Sequence, residues 1–166
     1  MRSIVIHWTA GDYETVYDAY HFCLSGAAQI RVHATYDLRA NMRDVRASAT
    51  PAYAAHTAGR NSYAIGIAMC AMRAATPGDF GGAPITTAQI EAACVLAARL
   101  VAFYDIPLAA VRTHAEAALE DGYFGAAAID ERLDVARFEP SSAPLLASEA
   151  RACGERFRTR IAELVV

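Results

Sequence analysis

An α/β fold, a mixed central β-sheet flanked by helices, is predicted by three observations. The run Ser3-Ile4-Val5-Ile6-His7 is short, apolar and rich in β-branched residues, as a core strand requires. Ser62 to Met72 is nearly continuous in apolar character, which suits a central strand covered on both faces. From Thr86 onward, Ile90, Ala93, Cys94, Ala97, Leu100, Val101 and Tyr104 recur at helical spacing, and Thr86 and Gln89 stand at capping-box spacing.

The remaining elements follow in order. The first strand ends in Trp8-Thr9-Ala10-Gly11-Asp12, a loop, which leaves His7 at the strand's C-terminal end, where α/β sheets place their chemistry. Val16, Tyr17, Tyr20, Cys23 and Leu24 predict a helix from Glu14 to Leu24, stopped by Ser25-Gly26. Gln29 to Arg39 and Met42 to Val45 read as a hairpin turning at Ala40-Asn41. After the long helix, Asp105-Ile106-Pro107 makes a stop, and Val111 to His114 is extended. Glu120 to Ala128 is irregular, and a last helix from Leu146 to Val166 carries the stripe Leu146, Ala150, Cys153, Phe157, Ile161 and Leu164.

With 166 residues and 55% hydrophobic content the chain supports one sizeable core, so residues 1–166 are expected to form a single domain with the last helix packed on it or appended to it. Fifteen basic residues against eighteen acidic ones, without long runs of either sign, argue against a nucleic-acid partner. The N-terminus lacks a secretory pattern and no segment reads as a membrane span, so the chain is expected to be made as a soluble cytoplasmic protein. Cys23, Cys70, Cys94 and Cys153 are far apart in apolar surroundings and read as buried thiols.

Five histidines stand at positions 7, 21, 33, 56 and 114, and no pair has the spacing that sets two imidazoles on one helical face. A lone histidine in an apolar strand is more often a core residue than a ligand. Here, however, His7 and His114 both end short apolar runs, so neighbouring strands would bring them together, with a carboxylate from the following loop as third metal ligand. His21 on the predicted helix reads as structural or exposed, and His33 as a core or supporting residue.

Three blocks resemble the zinc-dependent N-acetylmuramoyl-L-alanine amidases related to phage endolysins and peptidoglycan-recognition proteins. They are Ile4-Val5-Ile6-His7-Trp8-Thr9-Ala10-Gly11; His56-Thr57-Ala58-Gly59-Arg60-Asn61 with Ile65-Gly66-Ile67; and Val111-Arg112-Thr113-His114-Ala115-Glu116 with Arg132-Leu133-Asp134. The blocks run in family order over residues 4 to 138, and their close fit favours the phage branch.

The resemblance implies a Zn2+ cofactor held by His7, His114 and Asp134, with Asp130 the rival carboxylate, and a substrate groove bordered by His56, Asn61 and Tyr36. Zinc in such a site lowers the pKa of water from ~15.7 towards ~7. Arg132, where the family often has lysine, is expected to stabilise the oxyanion; its plainer role is a salt bridge to Glu131 or Asp130. Some relatives carry a glutamate after Ile-Gly-Ile, or a tyrosine just before the histidine of the preceding strand. Those positions read here as Ala68 and Val32, which move no proton, leaving Glu116, Tyr36 or the metal hydroxide as base.

The implied reaction is hydrolysis of the amide between N-acetylmuramic acid and L-alanine, on peptidoglycan or on muropeptides. An endolysin acting on the wall after release or export and a cytoplasmic recycling amidase both fit. A peptidoglycan-binding module without activity, or a structural or toxin-like component of a phage or secretion apparatus, is the competing reading. The presence of all three ligand types favours the enzyme.

Overall fold

The computed structural model describes residues 1–46, 52–124 and 133–165. Five strands form one sheet: β1 Ser3–Trp8, β2 Phe22–Leu24, β3 Ile30–Arg31, β4 Ala64–Met69 and β5 Val111–Thr113, in the order β3-β2-β4-β1-β5. β1 lies parallel to β4 and β5, β2 parallel to β4, and only β3 runs antiparallel, so the sheet is mixed as expected. Among the described residues three α-helices accompany it, α1 Thr87–Tyr104, α2 His114–Glu120 and α3 Ala147–Leu164.

Alternation along the strands divides the two faces. Ile4, Ile6 and Trp8 of β1 and Ile65, Ile67 and Met69 of β4 join Ala93, Ala97, Leu100 and Val101 of α1 in the main core. The other face carries His7 opposite Ala68, with Gly66 two residues below. Those small side chains leave room for imidazoles.

The capping box at α1 forms as predicted: Gln89 N donates to Thr86 Oγ1 and Thr86 N to Gln89 Oε1, both at 3.1 Å. Gln89 Nε2 also donates to Leu24 O and Cys70 O, tying the helix start to the ends of β2 and β4. Asp105 closes the helix in a left-handed conformation. By length and apolar composition alone α1 would suffice to cross a membrane, which corrects the expectation that no segment does; its buried face packs on the sheet. α3 buries Ala150, Cys153, Phe157 and Ile161 against the rest, much as its stripe predicts, although Leu146 is exposed. All four cysteines are buried free thiols.

Two expectations fail. Glu14 to Leu24 is not a helix; Phe22–Leu24 is a strand paired with Ile67 to Met69. The edge of β4 has backbone groups to satisfy, and that long-range demand overrides the local helical spacing. The hairpin is also absent: only Ile30–Arg31 pairs, and Leu38–Asn41 forms a 3-10 turn capped by Asp37, which accepts from Arg39 N at 2.8 Å. Asn41, placed at the supposed turn, is buried and binds Ala54 and Asn61, anchoring the loop ahead of β4.

Candidate metal centre

His7 reaches the site because β1 ends there, and its side chain projects from the face opposite α1. His114 arrives differently from the expectation that it ends an extended run. It is the first residue of α2, which starts in a Thr113/Glu116 capping box directly after β5. Asp134 is fixed at both ends: Ala115 N donates to its carbonyl and Trp8 N to its Oδ1 at 2.8 Å.

The structure brings these three together. Asp134 Oδ2 lies 3.0 Å from His7 Nδ1 and 2.7 Å from His114 Nδ1, and the two imidazole centroids are 4.9 Å apart. Both rings therefore turn the same nitrogen inward. Their outer nitrogens are supported: His7 Nε2 lies 3.3 Å from Thr57 Oγ1 and from His56 Nδ1, and His114 Nε2 lies 3.1 Å from the Tyr123 hydroxyl. In the tautomer with its proton on Nε2, each ring can donate to these hydroxyl partners, and its Nδ1 lone pair is then open to a cation. Two nitrogens and one carboxylate oxygen, buried and within 4.8 Å of one another, make a group that can hold a metal ion.

Electrostatics support the same use. Burial lowers the pKa of His7 despite the opposing pull of Asp134, which favours the neutral ring that a metal requires. Burial alone would raise the Asp134 carboxyl; the neighbouring His7 and His114 outweigh it and hold the group below the ordinary carboxylate range.

Tyr20 is the site residue that sequence reasoning missed. Its ring lies 5.1 Å from that of His7, and its hydroxyl donates to Trp8 O at 3.4 Å. Burial, then the Asp134 charge, push its pKa upward. Because the strand paired with β4 on the side away from β1 is β2, the Tyr-His pair ahead of that strand is Tyr20-His21. Val32, assigned to this position from sequence, is instead 59% exposed beyond the short β3. The signal was present in Tyr20-His21 directly before the apolar Phe22-Cys23-Leu24, hidden by the helical reading.

The other predicted residues are dispersed. His56 is buried beside His7, with ring centroids 5.3 Å apart, and sits so close over β4 that a Cβ on Gly66 would come within 2.7 Å of its ring. Asn61 is buried beneath it; its Oδ1 accepts from His56 N at 3.0 Å and Thr57 N at 2.9 Å. Tyr36 lines a cavity of about 380 Å³ with His21, Val32 and Arg39. His21 is buried, accepting from Gly66 N at 3.0 Å, whereas His33 is a partly exposed partner of Thr35 rather than a core residue.

Glu116 faces away from the cluster's inner nitrogens. Its carboxylate accepts from Thr113 N and pairs with Arg158 through two contacts of 2.9 Å. Arg132 and Asp130 lie outside the described residues.

A mixed, largely parallel sheet with a His-His-Asp group that could hold a metal ion defines the fold as α/β. The chain matches the family described as N-acetylmuramoyl-L-alanine amidase over residues 1–126, and it belongs to that family. Peptidoglycan amide hydrolysis is thus its class of activity. The matched stretch contains His7, His56 and His114 and stops before Asp134, whose place in the cluster comes from the three-dimensional arrangement. Searches of curated proteins and of solved structures each return no match.

Proposed function

We propose that this protein is a zinc-dependent amidase that cleaves the bond between N-acetylmuramic acid and L-alanine, acting as one domain with His7, His114 and Asp134 as the metal ligands. The observation that carries this reading is the convergence of two Nδ1 atoms on Asp134 Oδ2 while both outer nitrogens have hydroxyl partners. Zinc bound there supplies Lewis acidity toward water and the scissile carbonyl.

The protein's own groups do the rest. Tyr20, with its ring against His7 and its pKa raised, stays protonated at neutral pH and turns its hydroxyl proton from the long bond to Trp8 O toward the reacting oxygen. Ala68 offers only a methyl group next to His7, so no carboxylate from β4 serves as base. Arg132 is the proposed cation for the developing oxyanion. Peptidoglycan of the cell wall, reached after release or export, is the substrate we favour over free muropeptides.

Purified protein incubated with sacculi tests the reading. Zinc-replete enzyme releases stem peptides with a new L-alanine amino terminus, a chelator stops the release, and zinc restores it. Sacculi bound without any release, under zinc-replete conditions, would support the binding module instead.

A further inference from the structure

Two segments support the metal cluster from opposite sides, and one arginine fastens them together. Arg60 closes the turn that carries His56 and Thr57, its amide donating to Thr57 O at 3.1 Å. The next residue, Asn61, pins that turn by accepting from both amides, and the turn supports His7 Nε2. On the other side, Asp121 ends α2, and Tyr123 two residues later meets His114 Nε2. Arg60 spans the gap: Nε donates to Asp121 Oδ2 at 2.5 Å and Nη2 to Oδ1 at 2.7 Å, while Nη1 lies 2.8 Å from Glu120 Oε2. Arg112 grips the same Glu120 at 2.7 Å.

We propose that Arg60 is a positioning residue whose forked ion pair locks the support of His7 against the support of His114, fixing the aim of both imidazoles. The inference rests on the reading that these histidines hold a metal. An isolated exposed ion pair contributes little, but this one is bidentate, involves four charges, and its arginine side chain is only 26% exposed. The Asp121 carboxyl is held below its ordinary pKa first by its hydrogen bond to Arg60. An imidazole aims its lone pair only while its second nitrogen is held, so slack in either segment frees a ring to rotate. Lysine cannot replace the fork, because an ammonium is a point donor.

The test compares wild type, Arg60→Met, Arg60→Lys and, as a control, Arg73→Met, which removes a remote exposed pair with Asp12. Zinc affinity is measured by chelator competition at 25 °C, and amide hydrogen exchange at 56–57 and 123–124 is measured in metal-free protein. Arg60→Met should weaken zinc binding about 10- to 100-fold, and Arg60→Lys should recover only part of that loss. Exchange should rise in both segments, and adding Asp121→Asn to Arg60→Met should cost nothing further. Arg73→Met should change neither readout. Unchanged affinity in Arg60→Met, even with faster exchange, would overturn the proposal. Should Arg60→Met not fold, Arg60→Lys decides on the same criteria. If wild type takes up no zinc, the metal reading fails, and exchange unchanged at both segments would then overturn the clamp separately.

Discussion

The Nδ1 atom of His114 lies 2.7 Å from Oδ2 of Asp134, and the carboxylate is held in that direction because its other oxygen accepts from the Trp8 amide. Asp134→Ala should therefore reduce zinc retention more than about 100-fold and bring amide hydrolysis to background. Elemental analysis after dialysis reads the first, and stem-peptide release the second. Stoichiometric zinc in that variant would move the third ligand elsewhere, with Asp130 first in line.

Tyr20→Phe separates chemistry from metal binding. The ring and its contact with His7 persist, and the lost hydrogen bond to Trp8 O is long at 3.4 Å, so zinc content and melting temperature should barely change. Turnover should fall about 100-fold if the hydroxyl serves the reacting oxygen. Wild-type kcat would exclude Tyr20 from the reaction.

Glu116 and Gly154 form a structural joint. Glu116 accepts from the amide of Thr113, pairs with Arg158, and sits so near α3 that a Cβ on Gly154 would fall on its carboxylate. Gly154→Ala should destabilise the fold by about 2 kcal/mol or more, because helix and carboxylate cannot both stay in place. Glu116→Gln should lower the melting temperature while leaving kcat at 25 °C within about threefold. A large loss of kcat in a fully folded Glu116→Gln protein would return Glu116 to the list of bases.

Burial pushes His21 down to about 4 from the 6.5 of an unfolded chain. Between those values the unfolded chain takes a proton that the folded protein refuses. Stability is therefore full above about 6.5 and falls as pH drops toward about 4, by up to about 3 kcal/mol. His21→Asn keeps an acceptor for Gly66 N and removes the titration. Its urea midpoint should decline less than that of wild type from about pH 7 to about pH 5. Parallel declines would assign the acid sensitivity to other groups.

Much of this protein is legible along the chain. β1, β4, α1 and α3 have long or strongly patterned apolar runs, and α1 announces its start through Thr86 and Gln89, a signal only four residues wide. Thr113 and Glu116 give the same signal for α2, and it was readable in principle. The approach of His7 to His114 was also accessible, since both stand at the C-terminal ends of short apolar runs, and those runs become β1 and β5, which pair side by side in one sheet.

What β2 does, by contrast, was decided by the fold. Three residues are too few to establish a period, and Phe22–Leu24 becomes a strand because β4 offers unpaired backbone groups along its edge. That pairing sets Tyr20 against His7 and leaves Val32 outside. The assignment of Glu116 to Arg158, 42 residues away, and of Arg60 to Asp121, 61 residues away, has the same origin. Sequence determined which residue types could bind a metal and where the main strands and helices lie, because those depend on local pattern. The family-like block named Asp134, with Asp130 as its rival, and tertiary structure set Asp134 against both imidazoles and decided which nitrogens face inward, because these depend on hydrogen bonds between segments that share no local signal.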